Sequence, residues 1–350
     1  MDWTRPGRLD RFRFVRVVWP TYEEVGEVWA GSCKYTENML SDLYVGGQAT
    51  LLGTVDLGDD MLRAYSVSSL DGEEVSTCHF TMAASADQTA YTSAVGKSQV
   101  TLYGMLKVLS DELTDETLTV AAGTDPVAWA KAACEERHLR VTAEAYGVGL
   151  PGDVVFDAGT SYLSVVNRLL SAAGYASART DAYGRVVMEP YRDPSGRPLA
   201  FSLGEAGGGL LCSPDVTRTR ASSSVHNVVT LTGTDADGAP LRAQARNDSA
   251  ASRWSTASRM RVVSRYEQVA DVTTQAALQA KAEAYLREEA MLVETVELEH
   301  FWRPFAMGDA IGLELPSYGI SGSFSAKSRT VELSPGMRCA TTVRRFVDVG

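Results

Sequence analysis

Several short runs in this 350-residue chain have the residue types that carry chemistry elsewhere. Gly147-Val148-Gly149-Leu150-Pro151-Gly152 spells the GxGxxG of a dinucleotide-binding loop. That chemistry needs a strand before the glycines and a helix after them, so that the pyrophosphate rests on the helix N-terminus. Here Pro151 sits inside the run, and the strand-like Asp153-Val154-Val155-Phe156 follows it. The segment therefore reads as a loop. Val95-Gly96-Lys97-Ser98 has the close of a phosphate-binding loop, but Tyr91 stands where its first glycine is required. It reads as a lysine at the start of a strand.

Metal and nucleophile chemistry find no better footing. Glu299-His300 has no second histidine one helical turn away, as a zinc protease needs, and no GxSxG elbow occurs. His79, His138, His226 and His300 are scattered, which suits surface or hydrogen-bonded core positions. Cys33, Cys78, Cys134, Cys212 and Cys339 are odd in number, far apart and without a CxxC pair. That pattern argues against both a disulfide framework and a zinc site, and fits small, buried apolar residues. Asp59/Asp60, Glu73/Glu74 and Glu135/Glu136 are carboxylate pairs of the kind a glycosidase uses. All three fall in predicted turns or on a solvated helix face. The six tryptophans, Trp3, Trp19, Trp29, Trp129, Trp254 and Trp302, could stack on sugars but are dispersed, which fits burial or interfaces better. The residues thus point to a non-enzymatic protein with no catalytic, cofactor or metal site.

Composition agrees. With 45% hydrophobic and 22% charged residues the chain can bury a full core, and its length implies two or three domains. No run approaches the ~20 apolar residues of a membrane helix, and the N-terminus lacks the features of a secretory signal. The net charge of −11 disfavours a nucleic-acid binder, which needs clustered cations, yet would suit a surface past which DNA slides.

The elements that must carry these residues are mostly strands. Arg11–Val17 alternates with a period near two. Gly26–Cys33, Leu43–Leu57, Met61–Leu70, Val75–Ala83 and Gln99–Leu109 are further extended candidates, separated at Gly58-Asp59-Asp60 and Asp71-Gly72. Such spacing suggests a small barrel or sandwich. After Asp115 the pattern changes. Asp125-Pro126 opens a helix carrying Val127, Ala130, Ala133 and Cys134. A second helix runs from Ser161 to Ala173, with Tyr162, Val165, Val166, Leu169 and Leu170 on one face, Thr160 or Ser161 as cap and Gly174 as stop. Tyr175–Thr180 and Arg185–Glu189 read as a hairpin. Strands return at Val225–Gly233 and Pro240–Arg246, around a turn at Asp235–Gly238. A polar, mobile loop is expected at 247–258. A helix follows at Thr274–Leu292, with Leu278, Ala282, Tyr285 and Leu292 on one face and Glu289 interrupting it. Val293–His300, Ala310–Leu315, Gly322–Leu333 and Met337–Val349 close the chain as strands.

The run Phe156-Asp157-Ala158-Gly159-Thr160-Ser161-Tyr162-Leu163, then Leu169-Leu170-Ser171-Ala172-Ala173-Gly174-Tyr175, then Asp181-Ala182-Tyr183-Gly184-Arg185-Val186-Val187-Met188-Glu189-Pro190-Tyr191 resembles the second domain of phage tail hub proteins. This is the N-terminal hub region of tail-associated lysins. Asn227–Gly233 resembles that family's return strand, Thr274–Leu292 its following helix, and Phe305-Ala306-Met307-Gly308-Asp309-Ala310-Ile311 its "GD" strand opening. The ordering spans nearly the whole chain.

The resemblance implies a mainly β, multi-domain fold with an α+β insertion and interrupted segments. Residues 1–115 would form one tube-like β-barrel, and residues 201–234 with 293–350 a second. Residues 116–200, completed by 235–292, would form the α+β domain. It further implies a homotrimer whose six barrels make a pseudo-sixfold ring in the virion tail tip, assembled in the bacterial cytoplasm. A tail tube or distal tail protein would sit above the ring and a tip, spike or fibre protein below. The tape measure protein would occupy the lumen, DNA would pass without sequence-specific binding, and no stable membrane insertion is expected. Because the chain ends at Gly350 just after its last predicted strand, a hub without an attached lysin is expected. A distal tail ring or a carbohydrate-binding adhesin is the alternative, with a cell-wall hydrolase behind both.

Overall fold

The alternation around Arg11–Val17 becomes strand β1 (Leu9–Val18) in the computed structural model, with Val15 and Val17 buried. The structure describes residues 1, 3, 7–53, 55–92, 95–192, 197–205, 211–220, 225–235, 239–269, 274–289 and 292–347. Of the expected elements, the turn at 236–238 and the side chains of Cys212 and Glu289 lie outside them. The chain divides into two units: residues 1–216 with 297–343, and residues 217–296 with 344–350.

In the first unit β1 is followed by β2 (Glu23–Val28), β3 (Ala30–Asn38), β4 (Val45–Leu52), β5 (Met61–Leu70), β6 (Glu73–Thr92) and β7 (Val95–Tyr103). The expected strand Gly26–Cys33 is thus two strands. The expected strand Gln99–Leu109 stops at Tyr103, and helix α1 (Lys107–Asp111) follows with Leu106 and Leu109 buried. Leucines three apart sit on one helical face, and that burial overrides the extended reading. All pairings among β1–β7 are antiparallel.

The α+β part holds β8 (Leu118–Val120), α2 (Pro126–Glu136), β9 (Val141–Ala143), β10 (Val154–Phe156), α3 (Tyr162–Ala172), β11 (Arg179–Thr180) and β12 (Val186–Met188). Helix α3 starts on the Ser161 cap, whose hydroxyl accepts from the Ser164 N–H, and buries Leu163, Val165, Val166, Leu169 and Leu170. Val120, Leu150, Phe156, Val165 and Leu169 form its core.

Strand β13 (Phe201–Gly204) follows, then β14 (Leu211–Arg220). The second unit contributes β15 (Val228–Thr234), β16 (Pro240–Arg246), α4 (Thr256–Arg259), β17 (Ser264–Gln268) and α5 (Gln275–Glu289). Its sheet order is β16-β15-β17, with β17 parallel to β15. Its core is Val229, Leu231, Ala243, Ala245, Val269, Leu278 and Ala282. The stretch 247–258 is a built segment: Trp254, Ser255 and Thr256 are buried, and the Ser255 hydroxyl caps α4. Leu292, expected on the α5 face, instead opens the next strand, and Leu286 packs on the core.

The chain closes with β18 (Leu292–Phe301), β19 (Ala310–Leu315), β20 (Ile320–Glu332) and β21 (Arg338–Val347). Strand β20 pairs with β3 (Val331 opposite Tyr35), joining both ends of the chain. Among the described residues the result is a 13-stranded sheet of order β14-β18-β21-β20-β3-β4-β7-β6-β5-β1-β2, with β19 on β20 and β13 on β19. The molecule is mainly β, its strands mostly antiparallel, with a few helices.

Candidate functional site

Strand pleating sends successive side chains to opposite faces. The first unit carries a solvent-facing groove of about 1210 Å³ with both polar and apolar walls. Arg11 and Arg13 from β1, Lys34 from β3, Gln48 and Thr50 from β4, and Gln99 and Thr101 from β7 line the groove. Its cations are matched by carboxylates. Arg11 lies 2.7 Å from Glu74, Arg13 lies 3.7 Å from Glu27, and Lys34 lies 3.7 Å from Glu332. Exposed pairs of this kind stabilise by at most about 1 kcal/mol each. Their effect here is to leave the face close to neutral.

On the core side of β3, the buried Tyr35 hydroxyl meets His79 Nδ1 at 3.0 Å, and His79 Nε2 meets the buried Ser66 hydroxyl at 2.8 Å. Burial pushes the His79 pKa down to about 3, and Arg329 and Arg8 add to the effect. His300 is also buried. Its Nδ1 lies 2.7 Å from the Phe301 carbonyl, which can only accept, so Nδ1 carries the proton and Nε2 accepts from the Thr341 hydroxyl at 2.8 Å. Its pKa falls to about 4, chiefly through burial, against a raising contribution from that carbonyl. Arg329, itself buried, forms two bonds to Glu37 Oε2 at 2.7 and 3.2 Å and donates to the Arg303 carbonyl at 3.0 Å. Burial alone would lower the Arg329 pKa, but the Glu37 charge raises it overall. A paired interior guanidinium of this kind is a structural clamp.

The motif-like glycines are structural as well. Asp125 Oδ1 accepts from the Val127 and Ala128 N–H groups at the start of α2, and Oδ2 accepts from the Gly147 N–H at 2.9 Å. Desolvation raises the Asp125 pKa, but these three N–H bonds outweigh it and hold it below the usual range. A Cβ on Gly149 would stand 2.5 Å from the Gly123 carbonyl oxygen. The GxGxxG run is therefore a loop pressed against the helix start. Gly96-Lys97-Ser98 lies within β7, where buried Ser98 donates to the Gly53 carbonyl.

The carboxylate pairs are engaged separately. Asp60 accepts from Arg16 and the Trp19 N–H, Glu74 pairs with Arg11, and Glu135 and Glu136 pair with Lys131 and Arg137. Cys33, Cys134 and Cys339 are buried and Cys78 is partly buried, all as free thiols. Trp302 is buried edge-to-face against Trp3, Trp254 is buried, and Trp29 is 74% exposed at the groove. Among the described residues no cluster of three or more potential metal ligands occurs. None of their helices is long and apolar enough to cross a membrane. In the second unit, fully buried Glu294 takes Arg218, Arg220 (3.0 Å) and Arg345 (2.6 Å). The sequence offered no periodic signal for this cluster, which joins residues from three strands.

No family model and no curated protein matches the chain. Solved structures do. The tail protein from Neisseria meningitidis MC58 is 14% identical, with a TM-score of 0.68 over 95% of this chain and 96% of that one. The 43 kDa tail protein of prophage MuSo2 from Shewanella oneidensis is 12% identical, with a TM-score of 0.63 over 95% and 98%. Prophage tail protein gp18 from Listeria monocytogenes EGD-e is 11% identical, with a TM-score of 0.55 over 95% and 94%. The residue-level resemblance to tail hub proteins is thus matched in the backbone: this chain has the fold of phage tail proteins over nearly its whole length.

Proposed function

We propose that the protein is a structural, non-enzymatic component of a phage or phage-like tail. It forms a trimeric, pseudo-sixfold hub ring between a hexameric tail tube or distal tail protein and a threefold tip, spike or fibre protein. The observation that carries this reading is the tail-protein fold, shared end to end with chains of similar length. In this reading the ring belongs to the virion tail tip, the tape measure protein occupies its lumen, and DNA passes through on ejection.

The groove of the first unit suits a surface that meets DNA in passing. Its guanidinium and ammonium charges are balanced by Glu74, Glu27 and Glu332, so the face offers a phosphate little net attraction. The net charge of −11 acts in the same direction.

An electron-microscopy map of the assembled tail tip tests the reading. Three copies at the tube–tip junction are expected. Six copies would replace it with a distal-ring reading, and clearing of cell wall by the purified chain in zymography would overturn the non-enzymatic part.

A further inference from the structure

One stretch of the second unit has a charge opposite to that of the chain. Residues 240–266 hold six arginines, no lysine and a single acid, Asp248, a net charge of +5. Since the chain totals −11, everything outside this stretch carries −16. The fold gathers part of the stretch at one end of the small sheet. Strand β16 ends at Arg246 opposite Val228, and β17 begins at Ser264 opposite the same Val228. The chain between them covers that end. Asn227 pins it by donating to the Trp254 and Arg261 carbonyls and accepting from the Val263 N–H.

Three of the arginines are engaged within the unit. Arg246 pairs with Asp248, Arg265 with Glu267, and Arg259 donates to the Val225 carbonyl. Arg253 and Arg261 are exposed, and no described carboxylate pairs with either. Arg253 lies 4.7 Å from the buried Trp254 ring, which orients it. On either side of Arg261, Met260 is 89% exposed and Val262 is 55% exposed. Met260 holds φ at 51°, a left-handed conformation that costs a non-glycine residue energy.

Exposed arginine beside methionine, without lysine, is the composition of a protein interface centre. A phosphate polymer would use the arginines but leave Met260 and Val262 without a role. An acidic surface with exposed apolar side chains uses all of them. The chain itself carries such a surface on strand β2, which ends the large sheet on one side. There Val25 is 56% and the adjoining Trp29 74% exposed, beside the exposed carboxylates of Glu23 and of Glu27, whose 3.7 Å contact with Arg13 is a weak surface pair.

We propose that Arg253, Met260 and Arg261 of one copy dock on the Glu23, Val25 and Trp29 edge of a second copy. The inference rests on the ring reading above. Each surface lies within one unit, and a contact between two unlike surfaces is the kind that repeats around a ring.

Light scattering of the purified full chain over a concentration series tests the docking. The natural chain is expected to self-associate, less so as salt rises. Arg253→Glu with Arg261→Glu, Glu23→Arg with Glu27→Arg, and Met260→Asp should each weaken association at least tenfold, with unchanged circular dichroism. The fourfold charge-swapped chain should regain most of it. Reversed variants that associate like the natural chain would overturn the docking and leave the ring reading intact. A natural chain that stays monomeric at every concentration would do the same. A copy number other than three in the tail-tip map would overturn the ring reading itself.

Discussion

Tyr35 and His79 meet in the buried interior of the first unit, the phenol oxygen 3.0 Å from Nδ1. The contact ties β3 to β6, and Ser66 on β5 takes the other imidazole nitrogen. A neutral imidazole offers one donor and one acceptor, so two hydroxyls satisfy it fully, while burial and the nearby Arg329 and Arg8 charges disfavour a second proton.

Acid should therefore destabilise this unit early. Folded His79 and His300 bind a proton only near pH 3 and 4, whereas the unfolded chain does so near the ordinary 6.5. The unfolded state binds more protons below pH 6.5, so stability is full above that pH and declines as pH falls. By pH 5 each histidine should cost about 2 kcal/mol. Chemical denaturation of the natural chain and of His79→Gln at pH 7.5 and 5 checks this. An equal pH 7.5-to-5 drop in both would remove His79 from the account.

Glu37→Gln should destabilise the first unit by about 3–5 kcal/mol, because it leaves the Arg329 guanidinium charged and buried. The midpoint of urea unfolding reads the loss. Replacing both residues together, by Met at 329 and Gln at 37, should cost less than Glu37→Gln alone.

Asp125→Ala removes the cap of α2 and the bond to Gly147, and should cost about 1 kcal/mol. Gly149→Ala forces a Cβ against the Gly123 backbone and should cost more. Both should raise amide exchange at residues 123–150 while leaving β1–β7 unchanged. A change in nucleotide binding in either variant would contradict the structural role of this loop.

Glu294→Ala leaves Arg218, Arg220 and Arg345 facing one another around a buried site. Amide exchange at β14 and β18 should rise sharply, while the α3 core stays protected. Glu294→Gln should lie between the two, since it keeps the shape and some acceptor capacity but not the charge.

Local chemistry made much of this molecule legible from residues alone. Asp125 before Pro126, and Ser161 ahead of an apolar stripe, determine where α2 and α3 begin, because caps and periodicity act within a few residues. The strand at Met61–Leu70 was visible for the same reason. What the tertiary structure decided are relationships between residues far apart in the chain. Val331 lies opposite Tyr35, Arg329 pairs with Glu37 and Glu294 collects Arg218 and Arg345. Strand pairing is made by backbone groups that every residue carries, so no single residue type announces its partner. The segment 247–258 is a loop as far as Ser255, as its polar residues suggest. Its anchoring is not local: Asn227 and buried Trp254 give it internal partners, and only the fold brings those within reach.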